Sequence, residues 1–208
     1  MASWGVWAIA VAIALSALGL TTSPRPIAIE TGPIAPSAFT SPVAWNVLVQ
    51  RVGEARHLVV DAARNRVLFT AYVASTADTR FFVLDSTGVE RGNVSIGPWG
   101  QSYGARIALD PGTGDAYLSG DVGGLVQIDP SGPSVLARWT YSGFYPRAIA
   151  IHAGVLYVTQ VYDLGAPWPI AEIDAVTGAY LGNLTADPVG PAGDLTVDPA
   201  GRYLFVSN

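Results

Sequence analysis

Three arginines, Arg56, Arg106 and Arg147, recur just ahead of short aliphatic runs, and His57 stands beside the first of them. Guanidinium groups repeated before similar segments are carried to similar places in a fold, where they can attract a carboxylate, phosphate or sulfate. The plainer reading is that each pairs with a nearby carboxylate or carbonyl. Of the two histidines, His57 is the better placed for acid–base work. His152 occupies the position held by Asp61, Asp110 and Asp198 in the matching segments and reads as a turn residue. Glu54 and Asp194 are the carboxylates closest to the arginine positions, too few hard ligands for a metal. Asp110-Pro-Gly-Thr-Gly-Asp115 lacks the alternating ligands and terminal Glu of a calcium loop and reads as a hairpin turn. No catalytic residue, metal or cofactor is assigned on this pattern.

Composition narrows the chemistry further. The 208 residues contain no Cys, which excludes disulfides, thiolate metal sites and Cys nucleophiles. All 11 basic residues are Arg and the net charge is -5, so nothing in the charge balance points to a nucleic-acid partner. Asn93-Val-Ser95 and Asn183-Leu-Thr185 match the glycosylation acceptor pattern.

The segments behind these residues are short strands. Beta-branched and aromatic runs alternate with Gly, Pro and Asp clusters, as in Ala148–Gly178, and 23 Gly with 15 Pro suit an all-β chain full of tight turns. Four repeats begin at Leu58 (LVVDAARNRVLFT), Ile107 (IALDPGTGDAYLS), Ile149 (IAIHAGVLYVT) and Leu195 (LTVDPAGRYLFVS). A third strand ending in Asp follows in three of them, at Asp85, Asp129 and Asp174, which lie 44 and 45 residues apart. A fourth is visible at Gly92, Ser134 and Ala179. This period, with four strands per unit, predicts β-propeller blades: about three and a half four-stranded blades of an all-β fold, part of a ring of about six to eight.

The motifs resemble the YVTN and NHL class of propeller repeat. They are Pro146-Arg-Ala-Ile-Ala150, Asp198-Pro-Ala-Gly201, Leu156-Tyr-Val-Thr-Gln160 with Leu204-Phe-Val-Ser-Asn208, and Asp174-Ala-Val-Thr-Gly178. Propellers of this kind serve as binding modules, hydrolases, lyases and quinone enzymes, so the resemblance implies architecture more than activity.

In such a fold one face collects the loops that join an outermost strand to the next innermost strand, and a second strand to a third. Arg56, His57, Tyr72, Trp99, Tyr103, Arg106, Phe144, Tyr145, Arg147, Tyr162, Asp163 and Trp168 fall there and form the candidate ligand face. For any single aromatic, wedging between blades is the alternative. The favoured function is an exported, non-catalytic module recognising a protein or glycan. A lactonase-like hydrolase or lyase, whose metal site needs further blades, comes second. A quinone-dependent dehydrogenase comes last: Glu172–Gly178 resembles a quinoprotein repeat, but Gly182 stands where that repeat expects Trp.

The ends carry the remaining expectations. Trp4 to Leu20 is an unbroken apolar run, so residues 1–22 read as a signal peptide or N-terminal membrane anchor, the one expected contact with a membrane. Residues 23–44 read as a Pro/Ser/Thr-rich linker and 45–208 as the incomplete propeller. Asn208 falls inside the fourth repeat, which suggests a longer reading frame whose final blade Asn46–Val52 completes. Export places the protein in an extracellular, periplasmic or cell-surface setting.

Overall fold

A computed structural model describes residues 54–97, 105–120, 124–160, 169–184 and 193–207. The apolar run Trp4–Leu20, the linker, Asn46–Val52 and the site candidates Trp99, Tyr103, Tyr162, Asp163 and Trp168 lie outside them. Among the described residues no helix is long and apolar enough to cross a membrane.

The described chain is all-β. The first sheet holds β1 (Glu54–Asp61), β2 (Arg66–Val73), β3 (Asp78–Asp85) and β4 (Glu90–Gly97), in that spatial order. The second holds β5 (Arg106–Leu109), β6 (Ala116–Gly120), β7 (Gly124–Asp129) and β8 (Ser134–Thr140). The third holds β9 (Pro146–His152), β10 (Val155–Gln160), β11 (Ile170–Asp174) and β12 (Tyr180–Leu184). The pair β13 (Asp194–Val197) and β14 (Leu204–Ser207) opens a fourth. All pairings are antiparallel, so each sheet is a meander of hairpins.

Burial explains the order. β6 is buried at every position because both faces of its sheet are covered, whereas β8 alternates exposed and half-buried residues as an outermost strand must. Leu68, Phe81, Val83 and Ile96 of the first sheet pack against Ile107, Leu118, Val126 and Ile128 of the second. The second sheet's Tyr117 and Leu125 meet Ile149, Leu156, Val158 and Ile173 of the third. Ala148, Ala150 and Ile170 then meet Leu195, Val197, Leu204 and Val206 of the fourth. Each fully buried Leu, Ile or Phe contributes about 1.5–3 kcal/mol of transfer free energy, and each depends on the neighbouring sheet to be buried at all. Sheets stacked face to face through successive cores, with first strands side by side, form an arc of a β-propeller. Tyr203 and Phe205 lie on the far face of the last pair and are 62% and 55% exposed.

The recurring Asp residues that set the period close the third strands. Asp85 Oδ1 accepts from Thr87 N at 2.9 Å, Thr87 Oγ1 at 2.6 Å and Val89 N at 3.1 Å. Asp129 holds Ser131, and Asp174 holds Val176 and Thr177, in the same way. These bonds stabilise the ionised form, and the Thr87 hydroxyl above all holds the Asp85 carboxyl at about 2. Asp110–Asp115 is a hairpin turn, with Asp110 N bonded to Asp115 O. His152 is likewise a turn residue: it precedes Ala153 and Gly154, both at positive φ, and pairs with Val155 across a two-residue hairpin.

Candidate functional site

The first strands of the four sheets deliver their leading residues to one end of the arc, and the second strands define which of these are equivalent. His57 pairs with Thr70, Arg106 with Ser119 and Asp194 with Ser207. His57, Arg106 and Asp194 are therefore counterparts. Arg56 stands one residue earlier, in the β1 irregularity between Ala55 and His57. Arg147 also stands one residue earlier, because Ser119 Oγ donates to Arg147 O just as Thr70 Oγ1 donates to Ala105 O, at 2.8 Å. The three arginines are thus offset by a residue rather than equivalent, and alternate residues of a strand point to opposite faces.

The offset does not scatter them. Arg106 Nη2 reaches past the third sheet to donate to Gly193 O of the fourth at 3.3 Å. His57 of the first sheet feels the charges of both Asp194 and Arg106. Residues of the first, second and fourth sheets therefore meet at this mouth, with Arg56 and Arg147 on its strands. Asp194 is exposed and accepts from its own Leu195 N at 3.0 Å.

His57 Nδ1 accepts a hydrogen bond from Ile107 N at 3.1 Å. An imidazole nitrogen that accepts from a backbone N–H carries no proton, so in the neutral ring the hydrogen sits on Nε2. Burial pushes the His57 pKa down, the Asp194 carboxylate partly opposes this, and Arg106 adds to it. At neutral pH His57 is therefore a hydrogen-bond donor through Nε2. Its one basic nitrogen is engaged by the backbone, which removes it as the general base that its sequence position suggests. The mouth thus presents the His57 Nε2–H and the arginines as donors beside the exposed Asp194 carboxylate.

The described aromatics divide. Phe144 stands edge-on to Tyr141, with centroids 5.5 Å apart at 72°, and packs against the core between the second and third sheets. Tyr72 is half-buried near the end of β2, between Glu54 and Thr79 in register. Tyr145, immediately before β9, is 43% exposed and is the described aromatic of this set most open to a partner. Tyr141, which loop position did not single out, donates its hydroxyl to Gly178 O at 2.8 Å, and burial pushes its pKa up to about 12.

Among the described residues no group of three or more His, Asp or Glu is placed to hold a metal ion. Gly100-Gln-Ser-Tyr-Gly104 has the spacing of a nucleophile elbow and lies outside the described residues; the next described element after it is strand β5, whereas that motif leads into a helix. Of the two glycosylation motifs, the Asn93 side chain is held by Arg80 Nη1 and Glu90 Oε1, both at 2.6 Å. Asn183 is exposed on β12.

No protein-family model matches the chain, and no curated protein does. Solved structures do resemble it. Hydrazine synthase from Kuenenia stuttgartiensis superposes with a TM-score of 0.55 at 17% identity, over 73% of this chain and 41% of that one. A chain of a nidogen/laminin complex gives 0.51 at 17% identity, over 73% and 56%. The RRP9 WD40 repeats give 0.54 at 13% identity, over 68% and 41%. The chain spans about half or less of the length of these propeller-type structures, and at such identities the likeness shows the fold alone.

Proposed function

We propose that this propeller is a non-catalytic interaction module that binds a protein partner at the mouth where its first strands begin, taking up an acceptor-bearing, acidic side chain. The observation that carries this reading is the convergence of His57 and Arg106, donors from separate sheets, beside Arg56 and Arg147 in a chain whose net charge is -5. Three arginines against the one described carboxylate there, Asp194, leave the mouth net positive on an acidic protein, which steers acidic partners and suppresses wrong ones. Protein partners are also the company kept by one similar fold, which comes from a nidogen/laminin complex. The repeat motifs support a YVTN or NHL kinship, and the apolar run Trp4–Leu20 supports export.

The test is site-specific photocrosslinking in the native host, with a photoreactive residue at Tyr145 beside the mouth and, separately, at the exposed outer-strand residue Leu136. A discrete polypeptide adduct at 145, weakened by salt and missing at 136, is expected. Adducts of equal yield at both positions, or none at 145, overturn the proposal.

A further inference from the structure

A second concavity opens at the same end of the third sheet as the mouth but outward of its first strand, where the lining residue Gln160 pairs with Pro146. It holds about 360 Å³ between the β8–β9 connection and strands β10, β11 and β12 of the third sheet, and none of its lining residues belongs to a first strand. Tyr141 and Phe144 line it from the β8–β9 connection, the buried Ile173 from β11, and Tyr180, 55% exposed, from the start of β12. Gln160 and Asn183 complete it, and no lining residue is ionised.

We propose that this cleft is a binding site for a neutral sugar ring. A pyranose presents an apolar face of C–H groups and a rim of hydroxyls that are both donors and acceptors. The aromatic rings suit the first. The amides of Gln160 and Asn183 suit the second, because each side chain supplies both a carbonyl acceptor and two N–H donors. Among the described residues these two amides have no protein hydrogen-bond partner, whereas the amide of Asn93, elsewhere on the surface, is fully engaged. The Tyr141 hydroxyl is committed to Gly178 O, which fixes the ring as a wall. The volume is at the low end of the ligand-pocket range of ~300–1,000 Å³, suiting one or two rings. An extended proline-rich peptide, at ~3.1 Å per residue, is the competing class of occupant for an aromatic-lined groove. Charged ligands find no counter-ion here. The inference is independent of the proposal for the mouth.

The test is saturation-transfer NMR on the whole protein with cellobiose, maltotriose, mannobiose and chitobiose, each at ~10 mM, and with a proline decamer as the competing class. At least one sugar is expected to receive saturation. Tyr180→Ala should weaken its binding about fivefold or more, and Tyr180→Phe, which keeps the ring, by less than about twofold. Gln160→Ala gives an independent loss at a second wall. No transfer to any sugar overturns the proposal, as does sugar binding indifferent to both Tyr180→Ala and Gln160→Ala. Binding of the proline decamer without any sugar overturns it in favour of a peptide groove.

Discussion

Replacing Gly178 by Ala tests how the sheets are joined. Gly178 ends the β11–β12 turn at φ +71, and a Cβ built on it would lie 2.5 Å from Trp139 Cδ2 and closer still to Cγ and Cδ1. The indole is not free to retreat, because it is stacked on Tyr117 at 6.4 Å and 14° and packs against the core between the second and third sheets. Two costs add. The left-handed backbone costs an L-residue about 1 kcal/mol, and forcing a packed aromatic aside costs about 1–3 kcal/mol, so the expected loss is about 2–4 kcal/mol. Gly154→Ala isolates the first term, since Gly154 has φ +77 with nothing within 4 Å of its built Cβ; it should cost about 1 kcal/mol. Urea denaturation followed by far-UV circular dichroism gives both values. In a Trp139→Ala background the cost of Gly178→Ala should fall to that of Gly154→Ala, a coupling read from the double-mutant cycle. If Gly178→Ala costs no more than Gly154→Ala in the wild-type background, the seating of the turn on Trp139 is refuted.

Three further outcomes follow from the same contacts. Thr70→Val removes a buried hydroxyl from Ala105 O and should cost about 1–3 kcal/mol, while Thr70→Ser should retain most of the stability, by the same denaturation assay. The turn carboxylates of Asp85, Asp129, Asp174 and Asp198 all have folded pKa values below the unfolded 3.8, that of Asp85 about 2. Their contribution is complete above the unfolded pKa and lost as pH falls through the folded ones, so the thermal midpoint should drop steeply from about pH 4 towards pH 2, and Asp85→Asn should shallow that slope. His57 is depressed below 6.5, chiefly by burial, so the stability tied to its neutral form is complete above that pH and declines below it. His57→Gln should flatten the profile just below 6.5 and leave the carboxylate region unchanged, and two-bond ¹H–¹⁵N spectra should show the hydrogen on Nε2.

The architecture was legible because turn chemistry and strand alternation are local. Asp85, Asp129 and Asp174 advertise their period because each must accept the same neighbouring N–H and hydroxyl groups to close a strand, and that demand constrains sequence directly. The register of the repeats was legible as well, since the aligned starts Leu58, Ile107, Ile149 and Leu195 pair with the matching second-strand residues Phe69, Leu118, Val158 and Val206, but the local irregularities were not. The irregularity between Ala55 and His57 and the shift between Val158 and Gln160 change which residue leads each first strand, and neither leaves a mark in hydrophobic periodicity. Arg56 and Arg147 stand two residues ahead of the starts Leu58 and Ile149 and Arg106 one ahead of Ile107, so the aligned starts themselves already set His57, Arg106 and Asp194 as counterparts. The second-strand hydroxyls Thr70 and Ser119 were a second signal, since they stand at the Thr position of the repeat motif and pair with His57 and Arg106. The cleft had no such signal. Tyr141, Gln160, Ile173, Tyr180 and Asn183 come from four strands or connections, and only folding brings them together.

The contacts between sheets also bear on how the mouth can bind. At the mouth end, Thr70 holds Ala105 O, Ser119 holds Arg147 O, His57 holds Ile107 N and Arg106 holds Gly193 O. At the opposite turns, Arg66 Nη2 donates to Gly114 O at 2.9 Å, and a Cβ on Gly201 would run into the His152 ring. Further out, Arg138 Nη1 donates to Ile96 O at 3.0 Å. The sheets are thus tied at several levels by side chains that reach backbone atoms of another sheet, and backbone partners cannot rotate away. Donors mounted on strands held in this way are ordered before any ligand arrives, so a partner does not bear the cost of ordering them, about 0.5–1.5 kcal/mol for each long side chain. The ties at the mouth are made by the same strand positions that present the donors. Loosening one, as in Ser119→Ala at the Arg147 carbonyl, should weaken partner binding even though Ser119 faces no ligand. A tie at the opposite turns, such as Arg66, should affect stability with less effect on binding. Titrating the crosslinked partner against Ser119→Ala and Arg66→Ala distinguishes the two, and equal loss of affinity in both would mean that the mouth is not locally preorganised.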